Sequence, residues 1–475
     1  MNILFLTGDY LTQPLGIAYL SAALGRAGHD SEVAALGDMP RQHKLLKDFK
    51  PDILCLSLVT GQHDLFFRAA RQIKKEHPHI HVFAGGPHPT FYPECIHEDG
   101  VDAICRGEGD RALPAMVQAL KGGGRLPGGL PNWWIKNPDG SVSTGDVDPL
   151  IDDLDSLPYP DRDIFDRALG DMKRVTSYVM TSRGCPYRCS YCFNHAYNKL
   201  YAGKGLPCRR RSVANVIKEI ALLRKRYPLQ IVVFQDDTFN LSTPWLEEFT
   251  EQYPREISIP FHCHLRADLL NEATAALLKR AGCLSVKLGL ESAEEPVRNG
   301  ILNRSMSLEQ FEHACMLLHK NKIRFATENI LAIPGSTLDD DLSTYEVNRR
   351  VRPQHSFATL MQVYPLTDIA AYAVKQGFVD APPEEFPRTF YDDSSIHIGN
   401  KEERGRLRAL FALGVSFGLP ASIIRALLQY RLRSLYECLD RLWKGYCLRF
   451  RIYPYRQSPA DFIRETLQYL GNKYY

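Results

Sequence analysis

Nowhere in the 475 residues do uncharged apolar residues run together for the ~18 positions that a membrane-spanning helix requires. The opening MNILFLTGDY has no basic segment ahead of a long apolar run, so no secretory leader is expected and the reading is a cytoplasmic protein. No Gly-x-Gly-x-x-Gly follows the first apolar run, which excludes the usual dinucleotide fingerprint. No basic domain with a nucleic-acid-binding motif is present, so nucleic acid is not an expected partner. Charge of one sign is also missing: 58 Lys and Arg stand against 55 Asp and Glu. The balance is uneven, however, because residues 401–475 hold 14 Lys and Arg against 6 Asp and Glu. Cysteine is not scarce, but in a reducing compartment twelve of them argue against a disulfide framework and leave metal binding or burial. Most are scattered singly and read as small buried apolar residues.

An apolar content of 44% and a charged content of 24% are those of a globular chain, long enough for two or three domains. Residues 1–135 alternate short apolar runs (NILFLT, SEVAAL, DILCLSLV, HVFAGG, VDAIC) with helical patterns such as LGIAYLSAALGRAG and RALPAMVQALKG. The alternation predicts an α/β fold, a doubly wound parallel sheet of Rossmann-like form with helices on both faces. Such sheets bind ligands at the carboxyl ends of their strands. Those ends are polar or glycine-rich here: TGDYLTQPLG, SLVTGQH, GGPHPT and RGEGD. Four such loops in succession suggest one large ligand lying across that edge. Residues 136–175, rich in Pro, Asp and Gly, read as a linker. Over 176–375 a second series follows (YVMTS, IVVFQDD, FHCHLRAD, SVKLGLES, RFATENILAIPG, FATLMQVYP), predicting an open, partial (β/α)6 barrel. Residues 376–475 read as mainly helical and basic.

Cys185, Cys189 and Cys192 lie in TSRGCPYRCSYCFN at spacing C-x3-C-x2-C, between a strand end and a helix start. Structural zinc usually takes four protein ligands, commonly as two C-x2-C pairs, and no second pair lies at suitable spacing. A cubane cluster held by three cysteines keeps one iron open to an outside ligand.

This motif resembles the signature of the radical S-adenosylmethionine (SAM) superfamily, with Tyr191 in its aromatic slot. The resemblance implies a [4Fe-4S] cluster on the three cysteines, and SAM chelated by the fourth iron and cleaved to a 5′-deoxyadenosyl radical. It also implies an electron from an external flavodoxin- or ferredoxin-type reductant. QDDTF (Asp236, Asp237), LRAD (Arg266) and GLES (Glu291, Ser292) match strand-end positions that hold SAM in that family.

Residues 1–130 resemble the cobalamin-binding domain that precedes many radical SAM barrels, through PLGIAYLSAALGRAGHD, PDILCLSLVTGQH, AGGPHPTFYPE and ICRGEGDRALPAMVQAL. The positions carried over are Pro14, Gly16, Thr60, Gly61, Gly85, Gly86, His88, Gly107 and Glu108. His63 and His88 are candidates for the corrin periphery. The D-x-H-x-x-G motif that supplies an axial histidine elsewhere is absent, so cobalamin is expected without a protein histidine on cobalt.

The two resemblances together imply a cobalamin-dependent methyltransferase acting on an unactivated carbon, or a phosphinate phosphorus, of a small metabolite or lipid. Two rivals stand beside it: a cyclase or mutase without net methyl transfer, and a non-catalytic iron–sulfur or corrinoid sensor. A methylthiotransferase is less expected, since residues 1–130 have no second three-cysteine motif. The basic residues 401–475 read as a helical cap over the barrel mouth, or as a contact with an anionic substrate or a membrane surface.

Overall fold

The computed structural model describes residues 1–475 apart from 11–12, 124–125, 171–173, 381–393, 395, 457, 460 and 463–475. Leu11 and Thr12 of the first strand-end loop, and parts of the expected C-terminal helical region, therefore lie outside the described residues. The chain divides into two compact units. The first takes Met1–Met172 and Lys199–Leu206; the second takes Lys173–Asn198 and Pro207–Pro459.

In the first unit, strands β1 (Asn2–Thr7), β2 (Asp30–Ala35), β3 (Ile53–Ser57), β4 (His81–Gly85) and β5 (Ala103–Cys105) coincide with the apolar runs. They pair in parallel, and successive residues point to opposite faces. Ile3 and Phe5 join one core, Leu4 and Leu6 the other, so helices cover both faces and the strands read as unbroken apolar runs. An antiparallel hairpin, β6 (Trp133–Lys136) and β7 (Val142–Thr144), extends this sheet. Its strands are too short to show periodicity. The turn between them is closed by Asn137, whose carbonyl accepts from Gly140 N and whose N–H donates to Ser141 O. The strand order β2-β1-β3-β4-β5-β6-β7 reverses direction between β1 and β3, which is the switch point where ligands of such sheets bind.

In the second unit, β8 (Thr176–Val179) enters the cysteine segment. A short antiparallel ribbon follows, β9 (Ser182–Arg183) with β10 (Arg209–Arg210). Strands β11 (Ile231–Phe234), β12 (Phe261–Leu265), β13 (Cys283–Glu291), β14 (Arg324–Leu331) and β15 (His355–Leu360) then add in sequence. All six large strands are parallel, and β8 and β15 are the two edges, so the barrel is open as expected. Cys263, Leu265, Val286, Leu288 and Phe325 pack outward under the helices.

The C-terminal region meets the barrel at more than one place, and Arg404 Nη2 donates to Ser336 O at 2.7 Å in the loop after β14. Residues 447–453 close the opposite end, where the strands begin. Ser285 Oγ donates to Ile452 O at 2.9 Å and Arg324 Nη1 to Arg451 O at 3.2 Å. The Tyr453 ring meets the edge of His262 at 4.8 Å between centroids. Cys447 and Ile452 are buried there as well.

Candidate functional site

The cysteine loop is fastened from several sides. Gly184 has φ +84°, and a Cβ there would lie 1.9 Å from Pro207 O, so only glycine fits where the ribbon turns into the loop. Asn198 Nδ2 holds Cys185 O at 2.9 Å, Asn303 Nδ2 holds Arg188 O at 2.8 Å, and Ser190 Oγ donates to Ile301 O at 2.7 Å. Cys192 N donates to Cys189 O, starting the helix Phe193–Leu200. All three thiols are free, Cys189 being the buried one. Burial pushes the Cys192 thiol up to about 12 and raises that of Cys185. Among the described residues no three His, Cys, Asp or Glu side chains are already gathered as a metal-holding group.

Around Cys189 the strand ends converge. Arg266 Nη1 and Arg304 Nη1 stand 3.9 and 4.0 Å from its sulfur. Arg266 also stacks on the Tyr187 ring at 3.4 Å and pairs with Asp268 at 2.9 Å. Tyr191 Oη donates to Glu291 Oε1 at 2.9 Å, and Arg304 Nη1 donates to Tyr191 Oη at 3.0 Å. Arg304 lies 3.5 Å from the Glu291 carboxylate and donates through Nη2 to Gly289 O. Glu291 sits at a register shift of β13 with φ +67°, a strained conformation for a residue with a side chain and one that clusters at functional sites. A Cβ on Gly289 would meet Glu291 Oε1 at 2.3 Å and Arg304 Nη2 at 2.5 Å, so a side chain there would displace this pair. Burial raises the Glu291 carboxyl, and Arg304 opposes that. The buried Arg304 Nε has no partner. A thiol of the three-cysteine loop beside two guanidiniums, one with a donor to spare, suits an anionic iron–sulfur cluster and a ligand with acceptor groups.

Sequence reasoning missed Arg304. It follows an irregular turn after Pro296–Ile301 and stands in no fixed spacing to the cysteines or to Glu291. Asp236 and Asp237 part company. Asp236 is fully buried and accepts from Thr181 N at 3.2 Å, from Thr181 Oγ1 at 2.6 Å and from Ser182 Oγ, so it holds the start of the ribbon. Asp237 is exposed and bonds with Asn194 on the helix after the cysteines. Ser292 is buried, its Oγ accepting from Glu294 N at 3.3 Å.

The inner wall of the barrel is polar. His264 pairs in register with Lys287, and Glu328 with Phe357. Lys287 Nζ is 3.1 Å from Glu328 Oε1 and 4.8 Å from the Phe357 ring centroid. Burial, with Lys287 adding to it, pushes His264 down to about 4.

In the first unit the sequence candidates do gather at the carboxyl edge. Thr60 and Gly61 follow β3, Gly85 and Gly86 end β4, Gly107 and Glu108 follow β5, and Pro14 and Gly16 open the helix Leu15–Arg26 after β1. Gly61 and Gly86 both have φ +98°, and a Cβ on Gly86 would lie 2.8 Å from Leu58 O. No neighbour crowds Gly16. Gly107 and Glu108 are taken up by packing. Tyr201 Oη accepts from Glu108 N at 3.0 Å and fills the space beside Gly107, and Glu108 Oε2 accepts from Ile151 N at 3.2 Å.

His88 is buried and stacked between His63 (centroids 3.9 Å) and Tyr92 (5.0 Å), with Thr60 Oγ1 3.1 Å from its Nδ1. Burial pushes His88 down to about 3 and lowers His63. A stack of uncharged rings at the carboxyl edge of β3 and β4 suits the flat, largely apolar face of a corrin. The same depression has a stability consequence. A histidine depressed from 6.5 stabilises the fold above that pH and loses the contribution as pH falls. His88→Phe is therefore expected to lose about 2 kcal/mol less than the native chain between pH 7 and pH 5, read from melts at both pH values. Identical pH dependence in the two proteins would refute the buried, uncharged state.

The B12 binding domain model matches residues 1–117, and the Radical SAM superfamily model matches residues 179–347. An uncharacterized methyltransferase of Pyrococcus horikoshii is 29% identical over 76% of this chain and 78% of its own length. The anaerobic magnesium-protoporphyrin IX monomethyl ester cyclase of Rubrivivax gelatinosus is 26% identical over 78% of this chain and 69% of its own. Among solved structures, the radical SAM methyltransferase TsrM from Kitasatospora setae, with tryptophan substrate and a SAM analog bound, superposes with a TM-score of 0.66. The identity is 18%, covering 79% of this chain and 76% of that one. The sheet with its switch point at β1 and β3 and the half-barrel whose loop carries three cysteines each meet their own family model, so the chain carries a B12 binding domain followed by a radical SAM domain.

Proposed function

We propose that the chain is a cobalamin-dependent radical SAM methyltransferase acting on an unactivated carbon, or a phosphinate phosphorus, of a small metabolite or lipid-like substrate. The observation that carries this reading is the gathering of Cys189, Tyr191, Arg266, Glu291 and Arg304 at the carboxyl end of a parallel half-barrel, in a chain that also holds a B12 binding domain. When bound, the [4Fe-4S] cluster with SAM supplies a 5′-deoxyadenosyl radical and cobalamin supplies the methyl group.

The protein's share is positioning and exclusion of water. Cys185, Cys189 and Cys192 hold the cluster. Glu291 accepts from ribose hydroxyls of SAM, Tyr191 and Arg304 keep its carboxylate in place, and Arg266, Asp237 and Ser292 border the same ligand. Asp236 acts through Thr181 and Ser182 as a positioning residue. His264, Lys287 and Glu328 receive a polar group of the substrate. Thr60, Gly61, Gly85, Gly86, His63 and His88, with Pro14 and Gly16, line the cobalamin edge, and Gly107 and Glu108 shape it from behind. A flavodoxin- or ferredoxin-type protein delivers the electron in the cytoplasm. The basic C-terminal region touches a membrane surface.

The test is anaerobic reconstitution with iron, sulfide and cobalamin, followed by SAM and a reductant. Deoxyadenosine together with a substrate mass gain of one CH2 is the expected result. Deoxyadenosine with an unchanged or dehydrogenated product mass would favour cyclisation, the activity named for the Rubrivivax relative. Bound cofactors without deoxyadenosine would leave only a sensor.

A further inference from the structure

The helix Arg433–Tyr446 is built inside out. Beside the buried Tyr436, its inward side carries charge: Arg408 donates to Asp440 at 3.2 Å and to Glu437 at 3.1 Å, and Arg433 Nε donates to Glu437 at 2.8 Å. Trp443 Nε1 donates to Ser416 Oγ from the same side at 3.0 Å. Its outward side carries Leu435, Leu439, Leu442 and Tyr446, which are 51%, 42%, 61% and 48% exposed. Spacings of four, three and four residues place them on one stripe of the helix. Phe417 and Phe450 continue the stripe. The rings of Phe417, Trp443, Tyr446 and Phe450 follow one another at 5.3 Å between neighbouring centroids.

A single exposed leucine needs no explanation, but a contiguous patch does. Of the sixteen large apolar side chains exposed among the described residues, nine lie between Phe417 and Phe450. The charge around them decides the occupant. Residues 417–456 carry 8 Lys and Arg against 2 Asp and Glu, and Arg431, just before the helix, and Arg441, next to Leu442 in the chain, are exposed. A second copy of the chain would bring those cations face to face. An anionic lipid surface neutralises them while its acyl boundary takes up the leucines and aromatic rings. Among the described residues no helix is long and apolar enough to cross a membrane, so the contact is peripheral.

We propose that this helix, with Phe417 and Phe450, lies along an anionic lipid surface. Leu435, Leu439, Leu442 and Tyr446 sit below the headgroups, and Arg431 and Arg441 sit among the phosphates. The idea deepens the lipid-like substrate reading and rests on it only for the substrate class, because docking is measured without turnover.

The experiment is co-sedimentation of the full chain, under anaerobic conditions, with phosphatidylglycerol–phosphatidylcholine vesicles and with phosphatidylcholine vesicles alone. Sedimentation velocity without lipid runs in parallel. Binding to the anionic vesicles only, weakened about tenfold in Leu439→Glu/Leu442→Glu and severalfold in Arg431→Gln/Arg441→Gln, is the expected result. Both variants should melt with the native chain and still cleave SAM, which separates a failure of docking from a failure of the chemistry. Absence of vesicle binding, or equal binding to both vesicle types, overturns the proposal. So does a native dimer that Leu439→Glu/Leu442→Glu dissolves, since a second copy would then cover the face.

Discussion

Cys189→Ala is expected to abolish reductive SAM cleavage, with deoxyadenosine falling to the level of protein-free controls. Of the three thiols Cys189 is the buried one, and the two guanidiniums of Arg266 and Arg304 stand beside it. Removing it leaves two ligands for a cluster that needs three from the protein, and leaves two cations near one another with no anion between them. Iron after reconstitution should fall from about four per chain to below about one, with loss of the cluster's visible absorption. Cys208→Ala supplies the contrast. Cys185 lies close enough to Cys208 to help raise its thiol, yet Cys208 stands outside the motif. That variant should keep its iron and its activity. Retention of the cluster in Cys189→Ala, or its loss in Cys208→Ala, would reassign the ligands.

The second large effect is expected at Arg304. Arg304→Met leaves the Glu291 carboxylate buried without its cation, and breaking a buried pair from one side costs about 3–5 kcal/mol. The pH dependence gives the test its sign. Burial already raises the folded pKa of Glu291 above the ordinary 4.5, so ionised Glu291 opposes folding once pH exceeds that value. Without Arg304 the carboxyl rises further. The deficit of Arg304→Met should therefore be small near pH 4.5 and grow toward pH 8, as read from urea midpoints of the apo chain. Adding Glu291→Gln should recover much of the loss, because the buried charge is then gone. A deficit that is the same at every pH would mean that Arg304 acts only by filling space. In the reconstituted enzyme, Arg304→Lys should raise the KM for SAM more than it lowers kcat, since a single ammonium cannot hold Tyr191, Gly289 and Glu291 together.

Much of the site is legible in the order of the residues alone. The cysteine spacing is local, confined to eight residues, and a loop of that length has few ways to present three thiols. Strand ends are equally legible, because apolar runs of four to six residues stop where the polar and glycine-rich segments begin. Glu291 and Arg266 follow from that placement, and they do meet at the cysteine loop. Arg304 is illegible because its partners come from β13 and from the cysteine loop, over a hundred residues earlier for Tyr191 and Cys189. Asp236 and Asp237 are adjacent in sequence and equal in chemistry. In the loop after β11, Asp236 turns into a fully buried bond set with Thr181 and Ser182 and Asp237 is left exposed. Glu108 is similarly absorbed by Ile151 and Tyr201, a partner that returns to the first unit from beyond the cysteine loop.

The C-terminal region shows the division most clearly. Its composition established a basic, apolar, helical stretch, and that is what forms. Composition could not say which face of the helix Arg433–Tyr446 would turn inward, since both an apolar and a charged face were on offer. Arg408, arriving from the helix Lys401–Ser416, decided it by pairing with Glu437 and Asp440 and so turned the leucines outward. By itself the sequence determined the two βα series, the three cysteines and the polar strand-end loops, because each depends on neighbours within a few residues. Only the tertiary structure decided which charged groups face one another, because those pairings join side chains that are distant along the chain and whose ionisation depends on burial that no local pattern records.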